Sequence, residues 1–491
     1  MISACTEFSR SATLSSNTFV SPPPGRSCHA RTIALLLYRA SPKMTEPTPR
    51  ALRNPWWIPP FLGRVPAGVE ERHLAVLGIV ALALLFESYD MALLTAALGR
   101  IASDFGLSEA TQGLFTGSIR LGALPAFFVI PLADRLGRRR LFLVSVAGFS
   151  IGAFLTAFAQ TPAHFVVCQM LSRTFVISAS ASAFVIVTEE FPAAHRGWGI
   201  GMLGALAAMG HGLSALLYSQ VDHLPFDWRA LYAFGLVPVL LLPFFRRRVS
   251  ETQRFHRRAA AEPTQPAGRQ GSRLLANLQP IVELARSHPR RVLGICTLGL
   301  LSTMGHSVAF QFIGAFTQET HGWSPGQYAA MVFIGGAVGI IGSPLAGRFS
   351  DRFGRRLLGF TVLAIYPVFT CSFYLGPWWM LYGGWIGMVF CSMSSTVIVR
   401  GLSNEVFPTS TRATAGGTLM IIETLGAGLG LFLYAGLQFR LEHQGLAISL
   451  MSLLAVASTL ALLLFPATHQ RELESITGEE PMLEEAASSE P

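Results

Sequence analysis

About twelve long apolar runs constrain this chain more than any other feature of its sequence. A helix needs about 20 mostly apolar residues to cross the hydrocarbon layer of a bilayer, and each run is roughly that long. Because unpaired backbone groups are too costly in lipid, such runs must be helical. With 51% hydrophobic and 13% charged residues, the chain is also too apolar for an ordinary soluble protein of 491 residues. The sequence therefore predicts an all-α membrane protein with about twelve transmembrane helices.

The apolar runs form two sets of six, which are separated by a polar stretch rich in arginine. The first set lies near residues 74–97, 111–132, 141–160, 164–188, 197–219 and 229–245. The second set lies near residues 292–315, 325–347, 357–375, 378–400, 413–437 and 444–466. The predicted domains are an N-terminal tail at 1–73, a six-helix bundle at 74–245, a linker at 246–291, a second six-helix bundle at 292–466 and an acidic tail at 467–491.

Two short motifs of the first half recur in the second half at an almost constant offset. LADRLGRRR at 132–140 returns as FSDRFGRR at 349–356, and EEFPAAHRG at 189–197 returns as EVFPTSTRA at 405–413. The spacing from Asp134 to Asp351 agrees with the spacing from Arg196 to Arg412 to within a single position. A duplicated six-helix unit explains this agreement, and it predicts two pseudo-symmetric bundles with a central site between them.

The arginines predict the orientation of the chain in the membrane. One set of alternate loops contains the linker arginines together with Arg135, Arg138, Arg139, Arg140, Arg196, Arg348, Arg352, Arg355, Arg356 and Arg412, whereas the other set contains only Arg100, Arg229 and Arg440. Loops on the cytoplasmic face carry the excess of basic residues. We therefore expect a multi-pass protein of the cytoplasmic membrane with both termini in the cytoplasm. Because the arginines cluster in short segments between apolar runs, the net charge of +9 does not indicate a nucleic-acid partner.

The repeated motifs resemble those of the major facilitator superfamily. DRLGRR and GRFSDRFGRR are similar to its loop motif G-x-x-x-D-R-x-G-R-R, which follows the second and eighth helices. FDWRALYAFGLVPVL with RRRVSETQRF, at 226–255, and FPATHQRELESI, at 465–476, resemble segments of its sugar-porter and metabolite:proton symporter branches. The resemblance covers roughly residues 74–476 and implies a secondary transporter built from six plus six helices.

The same motifs predict a gate at the cytoplasmic face. Aspartates at a helix end can pair with arginines of a facing loop in one conformation and separate from them in another. The resemblance implies this role for Asp134, Arg135, Gly137, Arg138, Arg139, Glu189, Arg196, Asp351, Arg352, Gly354, Arg355, Arg356, Glu405 and Arg412. The alternative is that these charges only fix the topology of the chain.

Ionisable residues from six different helices are predicted to lie at similar depth. At 1.5 Å per residue, each lies about 17 to 24 Å from the cytoplasmic end of its helix, close to the middle of the bilayer. They are Asp90, Arg120, Arg173, His211, His306 and Glu423. Since each isolated charge at that depth costs about 2.5 to 3.5 kcal/mol, we expect them to share a polar cavity. Ordinary buried pairs, such as Asp90 with Arg120, remain the alternative.

Three of the buried charges are candidates for proton coupling. Glu87 and Asp90 are separated by three residues and share one helical face. Asp90 can bind a proton when Arg173 or Arg120 withdraws and release it when the arginine approaches. Tyr89-Asp90 is similar to the Y-D of the first helix in sugar-porter-like symporters, and Arg173 is similar to the arginine of their fourth helix. The resemblance thus implies a coupling pair.

The substrate is predicted to be a small organic or aromatic acid. The seventh helix contains only one glutamine, Gln311, where sugar porters have a Q-Q and Asn pattern, so a hexose is disfavoured. Arg120, Arg173 and the histidines can pair with a carboxylate, and Phe310, Phe312, Phe316 and Trp385 can form an apolar wall. The predicted substrate-binding residues are Arg120, His211, His306, Gln311, Trp385 and Glu423.

Three functional classes fit the sequence. The leading one is a proton symporter that imports a metabolite by alternating access, and the alternatives are a proton-coupled efflux antiporter for drugs or metabolites and a transport-dead sensor. No phosphate loop, metal-ligand spacing or nucleophile-base pattern is present, so neither an enzyme nor a cofactor is expected. We expect a monomer. Residues 1–43 are expected to be disordered or untranslated, with Met44 as the alternative start.

Overall fold

The computed structural model describes residues 52, 54–130, 137–248, 273–408 and 411–465. Helices dominate these residues, and no strand occurs among them. The first half contains α1 (Glu71–Phe105), α2 (Glu109–Leu121, followed by the short Ala126–Val129), α3 (Arg138–Thr156), α4 (Pro162–Glu190), α5 (Arg196–Tyr218) and α6 (Trp228–Arg247, with a 3-10 turn at Phe234–Leu236). The predicted N-terminal segment 1–43 and the acidic tail 467–491 lie outside the described residues.

The second half repeats this pattern after a linker helix. The linker helix is α7 (Arg273–Ser287). The membrane helices are α8 (Pro289–Gln311, extended by Ile313–Ala315 and Phe316–Thr320), α9 (Pro325–Phe353), α10 (Arg355–Tyr374), α11 (Leu381–Val406), α12 (Arg412–Leu441) and α13 (Gln444–Ser458, extended by Thr459–Leu464). Eleven described helices are long and apolar enough to cross a membrane. The remaining predicted span is α2, which precedes the undescribed residues 131–136.

The packing of the helices shows the predicted duplication. In the first half α1 packs on α5, α3 on α4, and α2 on α4. The equivalent pairs in the second half are α8 with α12, α10 with α11, and α9 with α11. Between the halves, α2 packs on α12 and α5 on α9, and these two contacts involve equivalent helices of the two halves. The fold is therefore two pseudo-symmetric six-helix bundles.

Two glycines give the two halves the same backbone geometry at one turn. Gly137 precedes α3 with φ +93°, and Gly354 precedes α10 with φ +87°; both belong to the repeated loop motif. Side chains other than hydrogen are disfavoured at such positive φ. The glycine of each loop motif therefore allows the chain to turn sharply from one membrane helix into the next.

The two halves meet mainly at one end of the bundle. We call the end at which α3, α5, α10 and α12 begin the arginine-rich end, because each of these helices starts with arginine. At the opposite end, Gln438 donates to Glu109 (2.6 Å), and Tyr218 donates to the side chain of Gln318 (2.7 Å). The amide of Gln318 also donates to the carbonyl of Ala96 (3.3 Å). The halves are thus held together at the opposite end.

Glycine allows the closest approach between the halves. A Cβ on Gly314, in the extension of α8, would lie 2.3 Å from the carbonyl oxygen of Thr95 on α1. A Cβ on Gly113 of α2 would lie 2.9 Å from the carbonyl oxygen of Leu431 on α12. Since both obstacles are backbone atoms, these contacts exist only because the side chains are absent.

The outer surface of the bundle matches a lipid environment. Many large apolar side chains on the membrane helices are exposed, for example those of Phe128, Phe158, Leu240, Phe360 and Val368. In water, apolar exposure on this scale would favour aggregation, whereas hydrocarbon tails cover it without penalty. The surface therefore agrees with the predicted membrane-spanning class.

Candidate functional site

A polar cavity of about 300 Å³ lies at the interface of the two halves. Most of its wall comes from α8, α11 and α12 of the second half, and α2 contributes Arg120. Its lining residues are Arg120, Ser302, Thr303, His306, Ser307, Phe310, Ser392, Ser395, Thr396, Val399, Arg400, Glu423 and Ala427. The cavity therefore combines charged groups, hydroxyls and one aromatic ring, and its volume is large enough for a small organic molecule.

Arg120 joins the two halves beside the cavity. Its Nη2 donates a hydrogen bond to Oε1 of Gln311 on α8 (3.1 Å), and its Nε is buried without a hydrogen-bond partner. Within the described residues, Arg120 forms no ion pair. A neutral amide satisfies part of the guanidinium but leaves its charge uncompensated. An anion in the cavity would supply that compensation.

The other residues predicted to bind substrate lie at different distances from the cavity. His306 and Glu423 line it together with Arg120. Trp385 does not line the cavity but packs against the lining residue Phe310, with 5.4 Å between the ring centroids. His211 lies on α5, where its side chain is exposed, and it does not line this cavity.

The aromatic residues of α8 divide into lining and packing positions. Phe310 lines the cavity. Phe312 is buried against Tyr434, at 4.4 Å between ring centroids, and Phe316 is buried against Tyr374, at 4.7 Å. Phe312 and Phe316 thus stabilise the second half, and only Phe310 presents its ring to the cavity.

Arg400 is a cavity residue that the sequence reasoning missed. The predicted span ended at residue 400, which placed this arginine at the membrane surface, but α11 continues to Val406. Arg400 therefore lies about one and a half turns inside the helix and lines the cavity together with Glu423. A cation and an anion thus share the part of the cavity nearest the arginine-rich end.

The hydroxyl groups of the cavity were also missed. They repeat at helical spacing, with one set on α8 and another on α11, so each set lies on one face of its helix. These residues are Ser302, Thr303, Ser307, Ser392, Ser395 and Thr396. The spacing was visible in the sequence, but only the packing of α8 against α11 shows that the two faces meet.

Asp90 is buried between α1 and α4, with 3% of its surface exposed. Its carboxylate accepts long hydrogen bonds from the amide of Gln169 (3.5 Å) and the hydroxyl of Ser172 (3.4 Å). Bonds of this length are weak. Asp90 therefore has polar neighbours but no strong partner that would fix its protonation state.

Glu87 lies one helical turn from Asp90 and is 7% exposed. The hydroxyl of Ser180 on α4 lies 2.6 Å and 2.8 Å from its two carboxylate oxygens. A hydroxyl has only one proton and can satisfy one oxygen at a time. A proton bound on the other oxygen would complete this arrangement.

Arg173 lies on α4, between the positions of Ser172 and Ser180, and is 2% exposed. It is close enough to Glu87 and Asp90 for electrostatic attraction, yet none of its nitrogens lies within 4.0 Å of either carboxylate. Its Nε and Nη1 are buried without a hydrogen-bond partner in the described chain. The structure thus brings the three predicted coupling residues together without closing an ion pair.

Two equivalent ion pairs lie at the arginine-rich end. Arg138 at the start of α3 pairs with Glu189 at the end of α4 (3.5 Å), and Arg355 at the start of α10 pairs with Glu405 near the end of α11 (2.5 Å). Both pairs join helices of the same half. In each pair the arginine belongs to one of the two repeated motifs and the glutamate to the other, so the structure joins the two motifs within each half.

The structure locates some of the other predicted gate residues. Asp134 and Arg135 lie outside the described residues, as does the side chain of Asp351. Arg139 donates to the carbonyl of Arg246 (2.5 Å) at the end of α6, and Arg352 lies over the ring of Phe353. The remaining predicted gate residues stand where helices begin or end: Gly137, Gly354, Arg356, Arg196 and Arg412. The gate remains a prediction.

In the described chain, no group of three His, Cys, Asp or Glu side chains is arranged to hold a metal ion. The chemistry of the candidate site is therefore that of its arginines, carboxylates, histidine and hydroxyls.

Known structures with the same architecture support the fold. The inward open conformation of the xylose transporter XylE from E. coli superposes with a TM-score of 0.65 at 16% sequence identity, and the alignment covers 82% of this chain and 99% of that chain. At this identity the likeness concerns the fold only.

Two characterised relatives align over most of the chain. A gallate transporter of Pseudomonas putida is 27% identical over 413 residues, which cover 79% of this chain and 90% of the relative. A cis,cis-muconate transport protein of Acinetobacter baylyi is 27% identical over 377 residues, which cover 71% and 83%.

The family model of the Major Facilitator Superfamily matches residues 80–431 and 295–487. These matches include both repeated loop motifs and all the residues that line the cavity. The chain therefore belongs to the Major Facilitator Superfamily and is a membrane transporter rather than an enzyme.

Proposed function

We propose that this transporter moves a small aromatic or other organic acid across the cytoplasmic membrane by alternating access and in symport with protons. The observation that carries the proposal is the uncompensated charge of Arg120 beside a polar cavity, where its hydrogen-bond partner is the neutral Gln311. A carboxylate can accept two parallel hydrogen bonds from a guanidinium. Phe310 supplies an apolar surface for the rest of the molecule.

The relatives support this substrate class. The gallate and muconate transporters both carry carboxylates, and both align over at least 71% of this chain. Gallate is a single aromatic ring with one carboxylate. A molecule of that size is compatible with a cavity of about 300 Å³.

The contacts between the halves suggest how the site becomes accessible. The described hydrogen bonds between the halves lie at mid-depth or at the opposite end of the bundle. If the arginine-rich end faces the cytoplasm, as its charge favours, the outer side is closed in this conformation. Separation of the halves at the opposite end would then expose the cavity to the outside.

The proposed coupling links the carboxylates of α1 to the cavity through two arginines. Arg173 attracts Glu87 and Asp90 and lies within electrostatic reach of Arg120. A substrate carboxylate at Arg120 reduces the repulsion between the two guanidinium groups. Binding of a proton to Asp90 or Glu87 weakens the opposing attraction. Proton and substrate would therefore act on the position of the same side chain, Arg173.

The test of the proposed function is the affinity of variants at Arg120 for a labelled aromatic acid. Arg120→Gln keeps a polar side chain but removes the charge, so we expect radiolabelled para-hydroxybenzoate to bind purified protein at least about tenfold more weakly. Arg440→Gln removes an exposed arginine at the opposite end and should bind like the wild type. A scintillation proximity assay measures the affinity of both variants for the labelled acid. Unchanged affinity of the Arg120 variant would contradict the proposed role of this residue in substrate binding.

A further inference from the structure

The cavity is lined by hydrogen-bond acceptors as well as by arginines. Building on the proposed function, we infer that His306 forms the centre of an acceptor subsite, which selects aromatic acids that carry hydrogen-bond donors such as phenolic hydroxyls. The carboxylate of the substrate would bind at Arg120, and its ring hydroxyl would donate to His306. This subsite at His306 is distinct from the carboxylate-binding position at Arg120.

The hydrogen bond of His306 determines which of its nitrogens can accept. Nδ1 of His306 lies 2.7 Å from the carbonyl oxygen of Ser302, one turn earlier on α8. A carbonyl can only accept, so Nδ1 carries a proton and donates it. His306 forms no ion pair with a carboxylate of the described chain, and burial without a counter-ion favours the neutral ring. In the neutral ring Nε2 has no proton, so it is an acceptor.

The acceptor nitrogen has no partner in the protein. Nε2 of His306 is buried and makes no hydrogen bond in the described chain, although the side chain lines the cavity. The ring is held in place by Tyr366, with the centroids 4.1 Å apart. A buried acceptor without a partner is costly, and a donor on the substrate would remove that cost.

The hydroxyls beside His306 extend the acceptor character of the wall. Ser302 donates to the carbonyl of Leu298 (2.6 Å), and Ser307 donates to the carbonyl of Ala427 (3.2 Å). On α11, Ser395 donates to the carbonyl of Ser392 (2.9 Å). Because each proton is used within the protein, these oxygens retain only lone pairs for a ligand.

The charged groups complete the separation of donors and acceptors. Arg120 and Arg400 are the cationic donors of the lining, and both suit a carboxylate. Glu423 adds an acceptor that has no hydrogen-bond partner in the described chain. The site therefore favours a ligand with an anionic group at one place and hydrogen-bond donors at another.

The test compares three classes of ligand that differ in one ring substituent. Benzoate has no ring donor, meta- and para-hydroxybenzoate have one, and the methoxybenzoates keep the oxygen but lack the proton. Isothermal titration of the purified full-length protein should give hydroxybenzoate affinities about tenfold higher than those of benzoate and the methoxybenzoates. In His306→Phe this ratio should fall below about threefold. His306→Gln, which retains an acceptor, should largely preserve the ratio.

The controls separate the possible failures. His164→Phe makes the same change at an exposed position on α4 and should keep the wild-type ratio. Binding of benzoate by His306→Phe shows that this variant is folded. Equal affinity of the wild type for all three classes of ligand, or an unchanged ratio in His306→Phe, would overturn the subsite but leave the proposed transport of aromatic acids intact. If none of these acids binds to the wild type, the proposed function and the subsite are both overturned.

Discussion

Replacing Asp90 with Asn is expected to abolish the accumulation of substrate that a proton gradient drives. Asparagine retains the size of the side chain and can still pack between α1 and α4, but it cannot exchange a proton. In one-to-one symport each unit of pH difference sustains about tenfold accumulation, because one unit corresponds to about 1.4 kcal/mol. Two units should give about hundredfold accumulation in the wild type and none in the variant.

The measurement uses proteoliposomes that contain either protein. Uptake of a labelled aromatic acid is followed with and without a pH gradient, and the signal of protein-free liposomes is subtracted because weak acids cross lipid unaided. Exchange of labelled for unlabelled acid at equal pH should persist in Asp90→Asn. Asp222→Asn provides a matched control at the opposite end of the same half, where Arg100 retains Asp227 as a partner. If Asp90→Asn accumulates the acid as well as the wild type, the coupling role is wrong.

Substituting Gly314 with Ala is expected to have the second large effect. It should change the conformation of the two halves without altering a residue that lines the cavity. The new Cβ would lie 2.3 Å from the carbonyl oxygen of Thr95 and 3.1 Å from that of Ala96, so the backbones of α8 and α1 must move apart. This contact holds the halves together at the opposite end. The variant should therefore favour conformations in which this end is open, and net transport should fall at least about tenfold.

Labelling by a membrane-impermeant maleimide can detect this opening. A cysteine at Thr317, which is buried in the present conformation, should react at least about tenfold faster when Gly314→Ala is present. Gly436→Ala on α12 is the matched control, since nothing lies within 4 Å of its added Cβ. Unchanged labelling and transport in Gly314→Ala would show that the close approach of α1 and α8 does not control access.

The fold could be predicted from the sequence because its physical signals are local and repeated. Each apolar run needs only its own length and composition to identify a membrane helix. The nearly equal spacings from Arg196 to Arg412 and from Asp134 to Asp351 predict the duplication without knowledge of any contact. The matching positive φ of Gly137 and Gly354 confirms that the duplication extends to the backbone geometry.

The contents of the cavity were less predictable, because depth along a helix does not determine the direction of a side chain. Arg120, His306 and Glu423 were placed at one depth and do line one cavity. Asp90, Arg173 and His211 were placed at the same depth and are absent from its lining. Arg400 was missed because the predicted span stopped short of the end of α11 at Val406.

The ion pairs illustrate a second limit of sequence reasoning. The sequence placed Arg138 and Glu189 in the same predicted gate but could not show that they pair. Arg138 at the start of α3 reaches Glu189 at the end of α4 because α3 and α4 pack side by side. Such pairings depend on tertiary packing, which no single motif specifies.

The central claim is that a proton gradient drives an organic anion through the cavity between the two halves. Its most direct test is the uptake of labelled para-hydroxybenzoate, xylose and a quaternary ammonium compound into proteoliposomes with the wild-type protein, under inward, outward and zero proton gradients. Only the acid should accumulate, and only when protons flow inward. Accumulation of the cation or the sugar, or acid uptake driven by an outward proton gradient, would contradict it.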